Sequence, residues 1–472
     1  MSIIRVPRLM MTASSSATGK TMITCGILQA LKNRGVRCAP FKCGPDYIDP
    51  MFHKAVLGMD SENLDTFLCG RDKVRSILAG RGRGMEIALI EGVMGYYDGL
   101  GGISCEASAY DVADATDTPA ILIVDCKGAS KSVIPVIQGI LNYQEDSHIK
   151  GIILNRLSPM MYGRMKEMIE KETRAEVLGY VPVLEDCELE SRHLGLKMPH
   201  EVDGFQERLL RISRTLEETL EIDRMLSLAE TAPEIEVQEE QASDRNMETG
   251  RSDVVRVGLA TDEAFCFMYQ ENLRLLQDWG ISLVPFSPLH DAALPADLHG
   301  LLLYGGYPEL YARALSRNTG MRESIRRAVT GGMPCMAECG GFMYLMEEME
   351  DAEGKRYPMA GVLEGKCYPT PRLKRFGYIT LTGGQAFGKD VGDIPAHEFH
   401  YYDADRCGEG YTARKPLSER SWKCMVSTDT ILAGYPHIHY DGNREVARAF
   451  LEACRKRKND DHREDDRKDR AY

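Results

Sequence analysis

The sequence predicts an α/β protein with two parallel-sheet domains. Three observations support this: short continuous apolar runs alternate with helical segments, the alternation stops at an acidic stretch and then restarts, and 472 residues exceed one ordinary core. Apolar strands separated by helices are typical of a parallel sheet that is covered on both faces.

The first domain is expected over residues 1–227. An apolar strand over residues 8–13 leads into a helix over residues 20–34. The same alternation predicts the following further strands: residues 36–41, 86–90, 120–125, 151–155 and 176–181.

The second domain is expected over residues 254–454. Residues 228–253 precede it, and because they are rich in Glu, Gln and Asp and lack apolar periodicity, they are expected to be a linker. Residues 455–472 are almost wholly charged and are expected to form a disordered tail. The predicted strands of the second domain are residues 254–261, 281–286 and 301–304.

Composition narrows the classes of ligand. The net charge of −13 argues against a general nucleic-acid binder, because affinity for phosphates depends on clustered Lys and Arg. No run approaches the roughly 18 apolar residues that span a membrane. The 14 cysteines form no C-x-x-C pair and the N-terminus has no secretory apolar core, so a cytoplasmic protein with reduced thiols is expected. Small molecules are therefore the expected ligands. The sequence does not specify the oligomeric state, and a homo-oligomer is one possibility.

A loop of small residues follows the first strand. The chain reads Ala-Ser-Ser-Ser-Ala-Thr-Gly-Lys-Thr over residues 13–21 and then becomes helical. Such a loop turns successive N–H groups toward an anion, while Lys20 reaches the outer phosphates and the Thr21 hydroxyl can bind Mg²⁺. Ser14 stands where the motif G-x-x-x-x-G-K-[ST] has its first glycine. The alternative interpretation is that this segment is an ordinary start of a helix, in which Gly-Lys-Thr occurs by chance. The expected ATP-binding residues of the loop are Ser14, Ser15, Ser16, Ala17, Thr18, Gly19, Lys20 and Thr21.

Carboxylates follow two further strands. Glu91 ends the strand over residues 86–90 and opens a glycine-rich turn, a place that suits a Mg²⁺ ligand or a water-positioning group. Asp46 and Asp49 lie in a loop that Pro45 and Pro50 bracket. A turn by itself explains Asp beside Pro, so a structural and a functional role both stay open for this pair.

Cys339 interrupts an apolar run, and two glycines follow it before helical spacing resumes. A nucleophile between a strand and a helix sits in a sharp, strained turn, where small following residues avoid clashes. The amides and dipole of the new helix are expected to lower the pKa of the thiol from its free value of about 8.5. Cys339 is therefore predicted to be a covalent catalyst, and Cys335 a packed core residue.

Together these segments resemble the cobyrinic acid a,c-diamide synthase family, whose members join an ATP-dependent synthetase domain to a class I type glutamine amidotransferase domain. The resemblance covers nearly the whole chain, and Gly-Pro-Asp-Tyr-Ile-Asp-Pro over residues 44–50 is its most specific part. Besides the phosphate loop, the matching segments are residues 42–50, 91–95, 192–196, 265–267, 305–309, 337–341 and 397–400.

The resemblance implies two joined reactions. ATP phosphorylates a side-chain carboxylate of a corrinoid precursor, and ammonia released from glutamine displaces the phosphate to give an amide. The first domain is then expected to be dethiobiotin-synthetase-like and to use ATP with Mg²⁺, and the second to be class I glutamine amidotransferase-like. The leading substrate is cobyrinic acid, amidated at its a and c acetates in cobalamin biosynthesis.

Two alternatives to this function stay open. The same reaction on nickel sirohydrochlorin or hydrogenobyrinic acid fits the motifs equally well, because the activated groups of these tetrapyrroles are chemically alike. A P-loop nucleotide switch with an inactive amidotransferase domain belongs to a different class. The loop around Asp46 and Asp49, the turn at Cys339 and a late histidine count against such a switch.

The resemblance also implies roles for residues of the first domain. Asp46, Asp49, Glu91 and Asp98 are placed in the synthetase site, and Asp46 is expected to complete a Mg²⁺ shell with the loop threonine and Glu91 or to contact the substrate. Asp98 is alternatively a residue that only shapes its turn. Asn155 resembles an adenine-contacting residue, with a cap or turn role as the alternative.

In the second domain, the resemblance implies that Cys339 attacks the glutamine amide, forms a thioester and releases ammonia. Backbone N–H groups at Gly306 and Gly340 are the expected oxyanion donors. His437 is the expected base. Many class I amidotransferases carry His-x-Glu here, whereas this chain has His-x-His, so His439 occupies the place of the carboxylate and the third member of the triad stays open.

The pair His397 and His400 allows several roles: contact with the substrate, a domain interface, or a packed pair on one strand. A zinc site fits the histidines poorly, because no cysteines stand at zinc-finger spacing and an H-x-H pair lacks its remaining ligands. Any cobalt or nickel is expected to belong to the macrocycle.

Overall fold

The computed structural model describes residues 2–173, 175–184, 191–192, 195–196, 198–237 and 254–469. The chain forms two compact units, Met1–Glu239 and Glu240–Tyr472. Both units are α/β, so the predicted fold class is confirmed. No helix in the described part of the chain is both long enough and apolar enough to cross a membrane.

The first unit is built around a parallel sheet of seven strands. The strands of this unit are β1 (Ser2–Ile4), β2 (Arg8–Ala13), β3 (Cys38–Cys43), β4 (Glu62–Leu64), β5 (Ile87–Glu91), β6 (Ala120–Asp125), β7 (Ile149–Asn155), β8 (Glu176–Val181), β9 (Ser191–Arg192), β10 (Gly195–Leu196) and β11 (Ile235–Val237). The sheet order is β4-β3-β5-β2-β6-β7-β8, and its pairings are parallel. Two short antiparallel pairs, β1 with β11 and β9 with β10, lie outside this sheet.

Helices connect the parallel strands of the first unit. They are α1 (Lys20–Asn33), α2 (Ile48–Leu57), α3 (Thr66–Cys69), α4 (Arg71–Gly82), α5 (Ala109–Ala115), α6 (Val133–Asn142), α7 (Pro159–Thr173), α8 (Phe205–Thr219) and α9 (Ile222–Glu230), with 3-10 turns at Leu100–Gly102 and Pro199–Glu201. α1 begins directly after Gly19, whose φ of 86° is unstrained only for glycine. α3 begins after Asp65, whose carboxylate accepts the N–H groups of Phe67 and Leu68 as a cap.

The core of the first unit lies on both faces of the sheet. The paired residues Met10 and Ile90 lie on one face and the paired residues Leu9 and Leu89 on the other, and all four are buried. All residues of β2 and β3 are buried as well. This matches the prediction from continuous apolar runs, since only a sheet covered on both faces buries such strands throughout.

Part of the predicted linker belongs to the first unit. α9 continues to Glu230, and β11 pairs antiparallel with β1. Leu228, Ala229 and Ile235 are buried, so a few apolar residues anchor this stretch despite its acidic composition. Residues 238–253 of the predicted linker lie outside the described residues.

The second unit combines a mostly parallel sheet of six strands with smaller sheets. Its strands are β12 (Val255–Ala260), β13 (Ile281–Phe286), β14 (Gly300–Leu303), β15 (Cys335–Glu338), β16 (Met346–Glu350), β17 (Arg356–Pro358), β18 (Leu363–Pro369), β19 (Arg375–Thr382), β20 (Gln385–Ala386), β21 (Lys389–Asp390), β22 (Ile394–His400), β23 (Tyr402–Ala404), β24 (Tyr411–Arg414), β25 (Ser421–Cys424), β26 (Val426–Ser427), β27 (Ile431–Gly434) and β28 (His437–Ile438). The central order is β13-β12-β14-β15-β27-β26, with β26 as an antiparallel edge. The smaller sheets have the orders β25-β24-β19-β22-β28, β17-β16-β18-β23 and β20-β21.

The last helix of the second unit runs into the segment that is expected to be a disordered tail. The helices of this unit are α10 (Gln270–Asp278), α11 (Ala312–Arg317), α12 (Thr319–Thr330), α13 (Gly340–Leu345) and α14 (Arg444–Asp469), with 3-10 turns at Pro308–Tyr311 and Tyr440–Gly442. The prediction of disorder from residue 455 is therefore wrong as far as Asp469. Lys and Arg are good helix formers, Arg455 donates to the carbonyl oxygen of Trp279 at 3.5 Å, and Lys458 donates to that of Val254 at 3.2 Å.

The residues with candidate chemistry lie at the carboxyl edges of the two parallel sheets. In the first unit, β2 ends before the phosphate loop, β5 ends at Glu91, and β3 ends before Asp46. In the second unit, β14, β15 and β27 precede Gly305, Cys339 and His437. Because parallel strands end at the same edge, the fold gathers residues that are far apart in sequence.

Candidate active sites

The phosphate loop joins β2 to α1 and surrounds the side chain of Lys20. Lys20 Nζ donates to the carbonyl oxygen of Ser15 at 2.8 Å and to that of Met94 at 2.6 Å. Residues 14–17 are exposed, whereas Thr18 and Lys20 are buried. The loop therefore presents small exposed residues above a buried cation, an arrangement that can receive an anion.

Glu91 is the centre of a buried polar cluster, the Glu91 cluster, formed with Thr21, Lys42, Asp49 and His53. Glu91 Oε1 accepts a hydrogen bond from Thr21 Oγ1 at 2.7 Å and lies 3.2 Å from Lys42 Nζ. Glu91 Oε2 lies 2.8 Å from His53 Nε2. Lys42 Nζ also lies 2.5 Å from Asp49 Oδ2. Two carboxylates, one ammonium group and one imidazole thus meet directly beneath the phosphate loop.

Lys42 and Glu91 stabilise each other's charge, whereas burial, Asp46 and Glu91 together raise the pKa of Asp49 above its usual range despite the nearby Lys42. Burial by itself raises the pKa of Glu91, but Lys42 and His53 outweigh it and hold that pKa well below its usual range. Burial likewise lowers the pKa of Lys42, but Asp49 and Glu91 outweigh it, so the pKa of Lys42 lies above its usual range. Burial, with Lys42 nearby, lowers the pKa of Lys20 to about 8. The cluster therefore holds Lys42 and Glu91 as a buried ion pair.

The structure brings Asp49, rather than Asp46, to the hydroxyl of Thr21. Thr21 Oγ1 lies 3.3 Å from Asp49 Oδ1. Asp46 Oδ1 instead accepts the N–H groups of Ile48 at 2.8 Å and Asp49 at 3.0 Å, which caps the start of α2. The structure therefore brings Thr21, Asp49 and Glu91 together, while Asp46 acts on Lys42 and Asp49 through its charge and stays a predicted Mg²⁺ ligand.

Asp98 and Asn155 hold loops of this site in place. Asp98 Oδ2 accepts the N–H of Gly95 at 2.9 Å, and a Cβ on Gly95 would stand 2.5 Å from that oxygen. Asn155, at the end of β7, donates to the carbonyl oxygen of Thr18 at 2.7 Å and accepts the N–H of Arg156 at 2.9 Å. The turn alternatives are thus observed for both residues, while contacts with ATP or substrate stay predictions.

Cys339 lies between β15 and α13 in a strained backbone conformation. Its φ of 48° and ψ of −105° fall in a region that is typical of a nucleophile on a strand-to-helix turn. Its N–H donates to the carbonyl oxygen of Gly434 at 2.7 Å, which ties the turn to β27. A Cβ on Gly341 would stand 1.9 Å from the carbonyl oxygen of Leu303, so only glycine allows α13 to lie this close to β14.

The thiol of Cys339 is buried, with 8% of the residue exposed. Burial raises its pKa well above the usual value and Glu309 adds to this increase, while the N–H of Gly340 opposes it. The expected lowering of this pKa is therefore wrong in direction, because the six residues of α13 offset only part of the effect of burial. The thiol consequently needs a base to remove its proton.

Glycines bring the backbone close to this thiol. A Cβ on Gly340 would stand 3.1 Å from the nitrogen of Gly306, so the two expected oxyanion donors are neighbours. A Cβ on Gly305 would stand 3.6 Å from Cys339 Cβ and 2.7 Å from His437 Cε1. The expected nucleophile and base therefore flank the space that a methyl group on Gly305 would fill.

Glu338 lies beside the expected base. Its Oε2 is 3.3 Å from His437 Nδ1, and its Oε1 accepts the N–H of Ile438 at 3.3 Å. Glu338 is 2% exposed and His437 is 3% exposed. Burial raises the pKa of Glu338, and His437 opposes that increase. A carboxylate on the strand that precedes the nucleophile thus reaches the imidazole.

Of three other buried histidines in this unit, His397 stacks on His437, whereas His439 and His400 pack on tyrosine rings. His397 lies with 4.9 Å between its ring centroid and that of His437 and shares a hydrogen bond of 3.2 Å with the Tyr269 hydroxyl. His439 contacts the ring of Tyr269, with 4.8 Å between centroids. His400 donates its Nδ1–H to a backbone carbonyl oxygen at 2.6 Å. Of the alternatives for His397 and His400, the packed pair is observed, and roles toward substrate stay predictions.

Comparison with known proteins supports an assignment for both units. Residues 9–196 match the family model of the CobQ/CobB/MinD/ParA nucleotide binding domain. Residues 256–445 match that of the CobB/CobQ-like glutamine amidotransferase domain. A cobyrinate a,c-diamide synthase of Caldanaerobacter subterraneus subsp. tengcongensis is 36% identical over 451 residues, which cover 94% of this chain and 98% of that protein. The chain belongs to the cobyrinate a,c-diamide synthase family.

Relatives from other organisms show the same extent of similarity. A cobyrinate a,c-diamide synthase of Magnetococcus marinus is 37% identical over 94% of this chain and 96% of its own length. One of Thermoplasma volcanium is 33% identical over 96% of this chain and 98% of its own length. Both units of the chain lie within these matches, which confirms the family that the motifs predicted.

Three residues at these sites had no separate role in the sequence analysis: Lys42, His53 and Glu338. The sequence signal for Lys42 and Glu338 is a charged residue within a short apolar strand, because a charge that becomes buried needs a partner. His53 follows Asp49 by four positions, so the two share a face of α2. Within the matching segment 192–196, positions 193 and 194 lie outside the described residues.

The close approach at Gly305 leads to a first testable prediction. We expect Gly305→Ala to lower kcat for glutamine hydrolysis at least about 100-fold, because its methyl group would stand between His437 and Cys339 and part the base from the thiol. Glutamate release measures the first rate, and amidation with ammonium chloride in place of glutamine serves as the control. An unchanged glutaminase rate in a folded variant would contradict the placement of His437 as the base.

Proposed function

We propose that the protein catalyses ATP- and glutamine-dependent amidation of the a and c acetate carboxylates of cobyrinic acid, through an acyl phosphate, in cobalamin biosynthesis. The observation that carries this proposal is the combination of two sites in one chain. A phosphate loop stands over the Glu91 cluster in one unit, and Cys339 stands beside His437 in the other. Relatives over 94% of the chain are named cobyrinate a,c-diamide synthase, which supports the choice of substrate.

The first unit offers the means to activate a carboxylate. A carboxylate is a poor acyl donor because oxide is a poor leaving group, and transfer of the γ-phosphoryl group of ATP to a carboxylate oxygen removes that barrier. The loop amides and Lys20 would bind the phosphates, and Lys42 adds a second positive charge beneath them. Phosphoryl transfer needs little beyond such positioning and charge stabilisation.

Mg²⁺ fits the residues of this site. It binds oxygen ligands, commonly one or two carboxylates completed by water and phosphate. Thr21 Oγ1 and Glu91 Oε1 lie 2.7 Å apart, and Asp49 Oδ1 lies 3.3 Å from the same hydroxyl, which offers that donor set. The described residues contain no group of three or more His, Cys, Asp or Glu side chains arranged to hold a metal. We therefore expect the nucleotide to supply the remaining ligands, and bound Mg²⁺ to neutralise phosphate charge.

The second unit offers the means to release ammonia. His437 accepts the thiol proton as the sulfur of Cys339 bonds to the amide carbon of glutamine, and the N–H groups of Gly306 and Gly340 stabilise the oxyanion. The proton then passes from His437 to the leaving nitrogen, the C–N bond breaks and ammonia leaves. Water hydrolyses the thioester to glutamate. Because burial raises the pKa of Cys339, this sequence depends on the base.

A panel of tetrapyrroles tests the proposal. Purified protein is incubated with ATP, Mg²⁺, glutamine carrying ¹⁵N in its amide, and in turn cobyrinic acid, hydrogenobyrinic acid or nickel sirohydrochlorin. We expect two labelled amides per molecule on cobyrinic acid, counted by mass spectrometry, and slower or no labelling of the other two. The three compounds present similar acetates and differ in macrocycle and metal, so the comparison isolates recognition of the ring system.

Each outcome of this panel has a distinct meaning. Preferred labelling of hydrogenobyrinic acid or nickel sirohydrochlorin would replace the substrate and keep the reaction. Absence of labelling on all three, while the protein still binds ATP, would favour a P-loop nucleotide switch and overturn the proposed function.

A further inference from the structure

We propose that Glu338 is the positioning carboxylate of His437, the third member that the His-x-His sequence leaves open. The inference rests on the proposed glutamine hydrolysis at Cys339 and extends it. In many class I amidotransferases this carboxylate follows the base by two positions, whereas here it immediately precedes the nucleophile. Glu338 acts through His437, so it is a positioning residue and not a catalytic one.

The path of the chain explains how Glu338 reaches the base. β15 and β27 are parallel neighbours, and Glu338 pairs in register with Gly434. His437 follows β27 by three positions, and Glu338 Oε2 lies 3.3 Å from its Nδ1. The next residue after Glu338 is Cys339. One strand end therefore carries both the nucleophile and the carboxylate beside its base.

The ring nitrogens of His437 acquire different tasks from this contact. Nδ1 faces a carboxylate, so it carries the proton of the neutral ring and donates it toward Glu338, which leaves Nε2 to take the thiol proton. When Nε2 is protonated, the ring becomes an imidazolium and the charge of Glu338 stabilises it. The proton on Nε2 then passes to the leaving nitrogen of glutamine, and the proton on Nδ1 stays in place.

Two further observations favour this role over a purely structural one. Glu338 Oε1 already accepts the N–H of Ile438 at 3.3 Å, a contact that a neutral glutamine would make equally well. A full carboxylate at a position that is 2% exposed carries a large cost of burial, and the imidazolium that forms beside it during proton transfer offsets that cost. The residue at the alternative position, His439, contacts the ring of Tyr269 and carries no carboxylate.

The test compares Glu338→Gln with wild type in the complete reaction, driven either by glutamine or by ammonium chloride. We expect kcat with glutamine to fall about 100-fold and KM for glutamine to change less than about threefold, since the amide keeps the shape but not the charge. The ammonia-driven rate should stay within about twofold, because Glu338 acts only on the glutaminase step. Glu364→Gln is the matched control, since Glu364 pairs with Arg406 at an exposed site of the same unit.

A second experiment, in a His437→Asn protein, separates positioning of His437 by Glu338 from a general structural effect of the Glu338 substitution. In a His437→Asn protein, alkylation of Cys339 by iodoacetamide is followed by mass spectrometry of the peptide that contains it. If Glu338 acts through His437, Glu338→Gln slows this alkylation in the wild-type background and has no further effect in His437→Asn. An equal slowing in both backgrounds would overturn the proposal.

Other results would also overturn it. A glutaminase kcat within threefold of wild type in Glu338→Gln removes the role of Glu338 and leaves the proposed function standing. Failure of the wild-type protein to amidate any tetrapyrrole concerns the proposed function instead.

If Glu338→Gln does not fold, Glu338→Asp replaces it, because aspartate keeps the negative charge but is one methylene shorter, which moves that charge away from His437. A reduced kcat at unchanged KM then supports the proposal, and an unchanged kcat contradicts it.

Discussion

Replacement of Cys339 by serine is expected to abolish amidation with glutamine. We expect a loss of at least about 10⁴-fold, since the serine hydroxyl is a far weaker nucleophile and the covalent step has no alternative route. Amidation driven by ammonium chloride should persist near the wild-type rate, because ammonia enters after the step that Cys339 performs. Glutamate release and amide formation are measured in parallel on the same preparation.

Cys407→Ser is the matched control for this variant. Cys407 lies partly buried in the same unit, and its sulfur contacts Asp403 Oδ1 at 3.6 Å, a contact that a hydroxyl can also make. We expect its glutaminase rate to stay within about twofold of wild type. If Cys339→Ser retained glutamine hydrolysis, the nucleophile would have to be sought elsewhere; if it lost the ammonia-driven reaction as well, a folding defect would be the explanation.

Removal of the Lys20 ammonium group is expected to disable the first unit. Lys20 Nζ lies under the phosphate loop on the carbonyl oxygens of Ser15 and Met94, where it can turn toward a phosphate. We expect Lys20→Ala to lower kcat/KM for ATP at least about 100-fold, with glutamine and with ammonia alike, because charge stabilisation is the main requirement of phosphoryl transfer. Release of ADP reports this rate.

Lys32→Ala provides the comparison on the same helix. Lys32 Nζ donates to the carbonyl oxygen of Val56 at 2.6 Å, at the other end of α1 from the loop. Its loss is expected to change the ATP-dependent rate less than about twofold. Equal effects of the two substitutions would show that Lys20 contributes to the stability of α1 and not to phosphate binding.

Residues at the ends of strands show how far sequence reasoning extends. Glu91 ends an apolar strand, and that position alone predicts a functional carboxylate. Glu338 ends an apolar strand in the same way, but the adjacent Cys339 is by itself a sufficient reason for a functional turn at this point of the sequence. The partner of each carboxylate, Lys42 in one case and His437 in the other, is 49 or 99 positions away, and no local pattern connects them.

The roles of Asp46 and Asp49 illustrate a second limit. Both lie in one short loop, and the sequence predicts an acidic contribution to the phosphate site without separating them. In the structure Asp46 caps α2, which turns Asp49 toward Thr21 and Lys42. Which of the two aspartates faces Thr21 depends on where α2 begins, and the ends of helices are the least certain feature of a prediction from sequence.

The sequence by itself determined the α/β class, the two units, the phosphate loop, the cysteine turn and the family. These features depend on residues that are close together along the chain, where spacing and residue type specify the backbone directly. Only the tertiary structure decided that Lys42 and His53 hold Glu91, that Glu338 stands at His437, and that burial raises the pKa of Cys339. Those properties depend on which distant strands become neighbours and on how much water the packed chain excludes.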